Sequence, residues 1–218
     1  MSLNAVFTGA QFGAALGEQT LLALLTFALA TLIGVPLGIL AYRYRALKTP
    51  LIGLVNLLQT LPAFAVFGLF VLLGHLRFGT ALAAALLYSV LPVIFGTEKG
   101  LRRIGRPAID AALGMGLSRR QVFTRVLLPL ASPQVMVGLR KAAVASVGMI
   151  TLATLRGGGL GELILDGIDA GSGALVAAGA LPACAMALLA DLLMALLSRR
   201  VVPAPLRRKE RQALYIAK

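Results

Sequence analysis

The sequence predicts an all-α integral membrane protein, and three observations support this class. Of the 218 residues, 59% are hydrophobic and only 13% are charged, and the mean hydropathy is +0.90, whereas about a quarter of the residues of a soluble domain are charged. The apolar residues are concentrated in uncharged runs long enough to cross a hydrocarbon core of about 30 Å, which takes about 20 helical residues. Because these runs are continuous and do not alternate with polar residues, they predict helices and not barrel strands.

The first half of the chain contains three predicted spans. Residues 21–40 form the first, with Pro36 inside it, and membrane helices tolerate proline at such positions. Uncharged stretches at residues 49–76 and 78–97 predict the second and third spans. A short link separates these two, so we expect them to form a hairpin.

The second half contains a long polar interruption and two further spans. Residues 98–130 are predicted to form a cytoplasmic loop, because arginines are dense there. The fourth span is expected at residues 133–155 and the fifth at residues 174–197. Between them, residues 156–173 predict an external Gly-rich loop. The whole chain, residues 1–218, is then a single transmembrane domain of five helices.

The distribution of basic residues predicts the orientation. The chain has 21 Lys and Arg residues. All of them fall in segments that this topology places inside the cell, except Arg77, Arg140, Lys141 and Arg156. Cytoplasmic segments of membrane proteins carry an excess of Lys and Arg. The N-terminus is therefore expected outside and the C-terminus inside.

Composition restricts the chemistry of the chain. Cys184 is the only cysteine and His75 the only histidine, so an internal disulfide and a Cys/His metal cluster are excluded. The spacing G-x-x-x-x-G-K-[ST] of a phosphate-binding loop is absent from the sequence, so any use of ATP requires a partner. We expect no enzyme active site, since no nucleophile is paired with a base. The net charge of +13 is interpreted as orientation and contact with anionic lipid head groups, not as nucleic-acid binding.

A spaced motif lies within residues 98–130. It begins with Asp110-Ala111-Ala112, which is followed after three residues by Gly116. After nine more residues comes Val126-x-Leu128-Pro129. Helical spacing places four small or apolar residues on one face: Ile109, Ala112, Leu113 and Gly116. We therefore expect a short helix over residues 107–115, followed by a tight bend at Gly116. Such a helix could dock in a groove of a partner, or it could lie as an ordinary amphipathic segment on the membrane surface.

The motif resembles the E-A-A-x3-G-x9-I-x-L-P signature of the integral membrane permease subunits of bacterial binding-protein-dependent ABC importers. Every spacing is retained, and the departures, Asp110 for Glu and Val126 for Ile, are conservative. The resemblance implies a type I importer permease (MetI-like) fold in the bacterial cytoplasmic, or inner, membrane. It also implies that the motif is the element that couples the spans to an ATPase, through Asp110, Ala111, Ala112, Gly116, Leu117, Leu128 and Pro129.

The family arrangement implies the partners. A separate ATP-binding subunit, carrying its own ATP and Mg, would receive the coupling helix. A second permease subunit, identical or related, would complete the pathway, and an extracytoplasmic substrate-binding protein would deliver the ligand. No cofactor is expected on this chain itself, and membrane lipids surround it.

Other stretches resemble the osmoprotectant group of these permeases, which import glycine betaine, carnitine and choline. They are the Gly-rich residues 157–164, Gly179-Ala180-Leu181-Pro182, Leu189-Ala190-Asp191 and the Gly34 to Gly38 run of the first span. The resemblance implies a quaternary-ammonium substrate. A permease for another small solute such as an amino acid, and a secondary transporter that works alone, are the alternatives.

Charged and small residues outside the motif give further expectations. Asp191 lies inside the fifth span, where acids usually face the bundle interior or a water-filled path. It could form a structural ion pair with Arg140 or Lys141, or it could line the pathway and attract a cationic substrate. The external loop offers three acids to a binding protein: Glu162, Asp166 and Asp169. Small residues would allow helices of two subunits to pack closely, at Gly68, Ser146, Gly148, Gly179 and Ala183.

Overall fold

The computed structural model of the chain describes residues 10–63, 65, 66, 68, 72, 77–154, 158–203 and 206. Long helices dominate this part of the chain. In chain order they are α1 (Ala10–Arg43), α2 (Arg45–Thr60), α3 (Arg77–Arg102), α4 (Arg106–Gly114), α5 (Arg119–Ala153), α6 (Gly159–Asp169) and α7 (Gly173–Val201). Helix α5 is α-helical over Arg119–Val122, π-helical over Phe123–Leu127 and α-helical again over Leu128–Ala153.

Four helices of the described residues are long and apolar enough to cross a membrane: α1, α3, α5 and α7. They include the predicted first, third and fifth spans and residues 133–153 of the fourth, and each extends beyond the predicted bounds at one end or both. The predicted second span, residues 49–76, begins within α2, which is apolar but short. Most of residues 61–76 lie outside the described part of the chain, so the number of five spans stays a prediction.

Helix α3 is the most buried of the candidate membrane helices in the described residues and lies at the centre of the bundle, packing against both α1 and α5. Glycines permit both close approaches. A Cβ atom at Gly38 of α1 would lie 2.6 Å from Cβ of Thr97, and one at Gly138 of α5 would lie 2.5 Å from the carbonyl oxygen of Pro92. Side chains at these positions would collide, so small residues determine which faces of these helices meet.

Polar side chains connect the same helices within the bundle. Ser146 of α5 donates a hydrogen bond of 3.0 Å to the hydroxyl of Ser89 in α3. The amide of Gln19 in α1 donates to the carbonyl of Val147 at 3.2 Å and to the hydroxyl of Thr151 at 2.7 Å. Because polar groups removed from water need partners, these bonds specify how α1, α3 and α5 align.

The segment predicted as a Gly-rich loop is largely helical. Helix α6 occupies most of residues 156–173 and packs against α7. A Cβ atom at Gly167 would lie 2.5 Å from the backbone nitrogen of Val176. Gly167 therefore permits contact between two helices, and the expectation of a loop was wrong for residues 159–169. Gly158 and Gly159, where the helix begins, have positive φ values of 104° and 68°, as the expected tight turn at this cluster requires.

Some of the small residues assigned to contact between subunits are used within this chain. Ser146 is fully buried against α3, and Gly179 and Ala183 are buried in α7. A Cβ atom at Gly179 would lie 2.7 Å from the carbonyl oxygen of Leu160 in α6. Only Gly68 and Gly148 are exposed, with no described atom within 4 Å of a built Cβ.

Candidate functional site

Helix α4 carries the first half of the spaced motif, close to where the sequence places it. Gly105 is the N-cap and Pro107 lies in the first turn, where its missing N–H group costs no helical hydrogen bond. At the other end, Gly116 has a φ of +86°. Its N–H group donates to the carbonyl of Leu113 at 2.9 Å, and that of Leu117 donates to the carbonyl of Ala112 at 3.2 Å. This pair of bonds is a Schellman motif, which explains why the motif requires glycine at position 116.

The bend leads directly into α5. Ser118 is the N-cap of α5, and its hydroxyl accepts a hydrogen bond of 3.3 Å from the N–H group of Gln121. The side chain of Gln121 accepts in return from the N–H group of Ser118 at 2.8 Å. This capping box leaves only Met115, Gly116 and Leu117 between the two helices, so their relative orientation is tightly restricted.

One face of α4 is buried and the opposite face is exposed. Ala112 is only 2% exposed and Ile109 is half-buried, as the helical spacing predicts. Leu113, which shares this face by helical spacing, is 41% exposed near the end of the helix, and Gly116 lies beyond the helix end, where the sequence predicts the bend. The exposed face carries Ala111 and Gly114. A surface of such small residues allows another backbone to approach closely.

The buried face of α4 belongs to an apolar cluster that joins four helices. Ala112 packs with Leu101 at the end of α3 and with Val122 and Leu127 of α5, all nearly inaccessible to solvent. Leu117 packs against the same cluster. Since close-packed side chains transmit displacement, a force on α4 is passed to the ends of the spans.

The last part of the motif lies at an irregular turn in α5. Pro129 has no N–H group to donate to the carbonyl four residues earlier, and its ring would clash with that carbonyl. The helix widens here into the π-helical turn Phe123–Leu127, and the N–H group of Leu128 bonds to the carbonyl of Phe123. π-Turns inside helices are frequent at functional sites. Leu128 is 37% exposed and Pro129 is half-buried.

Arg140 of α5 and Asp191 of α7 form the ion pair that was one of the two expectations for Asp191. The guanidinium donates through Nε and Nη2 to the two carboxylate oxygens. The side chains are 48% and 35% exposed in the isolated chain. Lys141 is exposed and makes no ion pair with a described residue.

The three acids of the predicted external segment lie on α6. Asp166 and Asp169 are exposed, and Glu162 is half-buried. Glu162 and Asp166 line a cavity of about 380 Å³ together with Glu18 of α1. The sequence analysis missed Glu18 because it precedes the uncharged stretch that marks the first span. Its position immediately before that stretch is the only signal in the sequence for a role at the end of the span.

Sequence reasoning also missed Glu98. It is 5% exposed at the end of α3 and forms ion pairs with Arg102 of the same helix and, at 3.9 Å, with Lys48 of α2. Glu98 is one of only two acids, with Asp110, among the many bases of residues 98–130, and this isolation is the signal that could have found it. Within the described part of the chain, no group of three or more His, Cys, Asp or Glu side chains is arranged to hold a metal ion.

Comparison with known proteins gives a consistent result. Residues 30–203 match the family described as "Binding-protein-dependent transport system inner membrane component". The chain is 39% identical to the glycine betaine/carnitine/choline transport system permease protein OpuCD of Bacillus subtilis, over 80% of this chain and 77% of that protein. It is also 39% identical to the choline transport system permease protein OpuBD of B. subtilis, over 82% and 80% of the two chains.

A permease of another bacterium is similarly related. Identity to the osmoprotectant import permease protein OsmW of Salmonella typhimurium is 37%, over 84% of this chain and 88% of that one. Among solved structures, an inward-facing form of the MetNI methionine ABC transporter matches with a TM-score of 0.77. It covers 93% of this chain and 100% of the matched chain at 19% identity, so this likeness establishes the fold alone.

Proposed function

The chain belongs to the family of inner-membrane components of binding-protein-dependent transport systems, and we propose that, as a permease subunit of such an ABC importer, it carries quaternary-ammonium osmoprotectants. One observation carries the choice of substrate. Several relatives that align over most of this chain at 35–39% identity are named as permeases for glycine betaine, carnitine or choline. The alternative of an amino acid is supported only by the fold shared with a methionine transporter, at 19% identity.

We propose the topology that the basic residues indicate. The chain crosses the membrane five times, with α2 and residues 61–76 completing the second span. The N-terminus lies outside and the C-terminus inside. This orientation places α4, the π-turn of α5 and the end of α7 on the cytoplasmic side, where the arginines are concentrated.

The proposed role of α4 is to receive the movement of a separate ATPase subunit, on which ATP and Mg are bound. The ATPase docks on the exposed face that carries Ala111 and Gly114, with Asp110 beside it. The buried face then passes the displacement to α3 and α5 through Ala112 and its cluster. Because the Schellman motif and the capping box restrict residues 115–118, α4 and α5 move together and not independently.

The Arg140 and Asp191 pair is proposed as a structural connection between α5 and α7. Charged groups facing lipid are costly, and intramembrane ion pairs usually face protein or water. The pair is 48% and 35% exposed in the isolated chain, and we propose that the second permease subunit covers this exposed part. Pairing also neutralises Asp191, which argues against a role in attracting a cationic substrate.

Ligand capture is proposed to occur on a separate substrate-binding protein. Quaternary amines are typically held by aromatic cages, and this chain has no Trp and only nine Phe and four Tyr. The outer acids Glu162, Asp166 and Asp169 are proposed as contacts for that protein.

Uptake in a bacterial strain that lacks its own osmoprotectant importers tests the proposed function. The chain would be expressed with its neighbouring ATPase and binding-protein genes, and uptake of radiolabelled glycine betaine and choline measured. We expect uptake that stops when the phosphate-binding lysine of the ATPase is replaced. Uptake without a working ATPase would favour a secondary transporter, and competition by an amino acid but not by choline would contradict the substrate.

A further inference from the structure

A cavity of about 840 Å³ opens between the adjoining ends of α1, α3, α4 and α5. Its volume falls in the range of about 300–1,000 Å³ that is typical of ligand pockets. Five arginines line it: Arg43, Arg102, Arg106, Arg119 and Arg120. None of the described residues that line it is acidic. The cavity is therefore strongly positive.

The positive charge of this arginine cavity is mostly unbalanced. The guanidinium of Arg102 pairs with Glu98, which is not itself a lining residue. The other ion pairs of the described residues involve Lys48 and Arg140. The remaining four arginines of the cavity therefore have no carboxylate partner in the described part of the chain. A cleft lined by like charges in this way concentrates the field and attracts anions.

Three of these arginines occupy helix starts, where positive charge is unfavourable. Arg106 is the first residue of α4, and Arg119 and Arg120 are the first two of α5. The first turn of each helix carries no acid. Helix N-termini are positive ends of the macrodipole and favour acidic side chains. The field of the two helix starts adds to that of the arginines, and a bound anion would stabilise both.

The cavity also has an apolar wall that extends into the spans. Ile39 and Tyr42 of α1 lie within one turn of Arg43, and Phe123 and Leu127 of α5 follow Arg119 and Arg120 along the helix. Arg43 and Arg102 lie in the last turns of two candidate membrane helices. The lining thus changes from charged to apolar along the direction in which the spans enter the bilayer.

We propose that the arginine cavity binds the head group of an anionic phospholipid. The phosphate and a second anionic or hydroxylated group lie among the arginines, and the first carbons of the acyl chains lie against Ile39 and Leu127. Basic pockets at the cytoplasmic ends of membrane helices bind anionic lipid head groups in this manner. A soluble phosphate would use the arginines alone and leave the apolar wall in contact with water. The assignment to the cytoplasmic leaflet rests on the proposed function and its topology.

An acidic surface of the ATPase is the competing occupant, and the geometry of α4 disfavours it. The cavity is lined by Ile109, on the side of α4 that packs against the spans. The face proposed to receive the ATPase carries Ala111 and Gly114, and neither residue lines the cavity. The lipid and the ATPase would therefore occupy different sides of the same helix.

Lipid binding to the purified importer complex tests the proposal. The complex in detergent is titrated with phosphatidylglycerol or phosphatidylcholine, and bound lipid is counted by native mass spectrometry. We expect phosphatidylglycerol to bind at least about tenfold more tightly, and the double variant Arg119→Gln/Arg120→Gln to weaken it by about 25-fold, or about fivefold for each charge. The matched control is Arg199→Gln/Arg200→Gln, which removes the same charge from exposed positions at the end of α7. It should leave the affinity for phosphatidylglycerol largely unchanged, because neither arginine lines the cavity.

Each other result overturns the proposal. Equal binding of the two lipids, or equal losses in the two double variants, would show only diffuse charge attraction. Glycerol 3-phosphate that displaces the lipid at a similar concentration would indicate a soluble anion site. A variant that keeps phosphatidylglycerol but no longer co-purifies with the ATPase would assign the cavity to that subunit. The lipid count needs no transport and can be made on the permease alone, so it stays informative if the proposed function fails.

Discussion

Helices α3 and α7 are both long and apolar enough to cross a membrane, yet they lie in opposite environments within the chain. In the most apolar stretch of α3, 61% of the residues are buried inside the protein, whereas none are in that of α7. Helix α7 is nevertheless the more hydrophobic of the two, with a hydropathy of 2.1 against 1.7. High hydropathy therefore does not distinguish a helix that contacts lipid from a helix that packs against protein. Small and polar residues, such as Gly96 and Ser89 of α3, mark the helix that packs against its neighbours.

The largest expected effect comes from filling the crossing of α3 and α5. Gly138→Leu would place side-chain atoms where a Cβ alone already lies 2.5 Å from the backbone of Pro92. We expect loss of the folded protein, because overpacking against backbone cannot be relieved by rotating a side chain. Fluorescence-detected size-exclusion chromatography would measure the monodisperse fraction. Gly17→Leu, in α1 with no described atom within 4 Å of a built Cβ, is the control, and equal losses would refute the close crossing of α3 and α5.

A matched pair of truncations compares the two helices directly. Leu91 of α3 is 2% exposed and Leu188 of α7 is 71% exposed in the isolated chain. Leu91→Ala should lower the free energy of unfolding by about 2–5 kcal/mol, because it leaves a cavity. Leu188→Ala should change it by less than about 0.5 kcal/mol. Reversible unfolding in mixed micelles measures both values. A large loss of stability for Leu188→Ala would show that this side chain of α7 is buried in a core that is absent from the isolated chain.

Variants of the ion pair between Arg140 and Asp191 test whether it holds α7 to the rest of the bundle. Arg140→Gln and Asp191→Asn should each reduce the thermal stability of the assembled complex, since each leaves one charge unpaired within the membrane. The exchange Arg140→Asp/Asp191→Arg should restore part of the loss. The loss of uptake on heating would be measured for all three variants. If the exchange shows no recovery, the two residues act separately, and Asp191 would then become a candidate for the pathway.

The smallest effect on folding is expected at the end of α4, the helix proposed to receive the ATPase. Gly116→Val introduces a β-branched residue at a φ of +86°, which costs about 1–2 kcal/mol. This cost comes from the backbone conformation and not from steric overlap, because no described atom lies within 4 Å of a Cβ built at Gly116. Uptake should fall strongly while membrane insertion is retained. Gly116→Asn, which tolerates this conformation, should retain most uptake, and equal uptake by the two variants would contradict the coupling role.

Local sequence signals predicted the elements that depend on nearby residues. The helix over residues 107–115 and the bend at Gly116 follow from spacing and from the conformational freedom of glycine, and both are present in α4. The four long helices follow from uncharged runs, and the family follows from the motif. The pairing of Asp191 with Arg140 was among the predicted alternatives because few charges lie within the spans.

Other features could not be predicted, because their causes are distant in the sequence. Gly167 of α6 and Gly179 of α7 resemble loop or interface residues until these two helices are seen to pack against each other at both positions. Leu113 has the spacing of a buried residue but lies at the helix end, where the cluster no longer covers it. Glu98 is buried because Lys48 and Arg102 approach it.

The sequence by itself determined that the chain is a helical membrane protein, where its long helices lie, and that residues 110–129 carry a transporter motif. These properties depend on hydropathy and on interactions within one or two helical turns. Tertiary structure alone decided that α3 lies at the centre, that α6 packs against α7, and that arginines separated by up to 77 positions, from Arg43 to Arg120, surround one cavity. The reason is physical, since each of these depends on which helix faces meet and no local pattern specifies the partner.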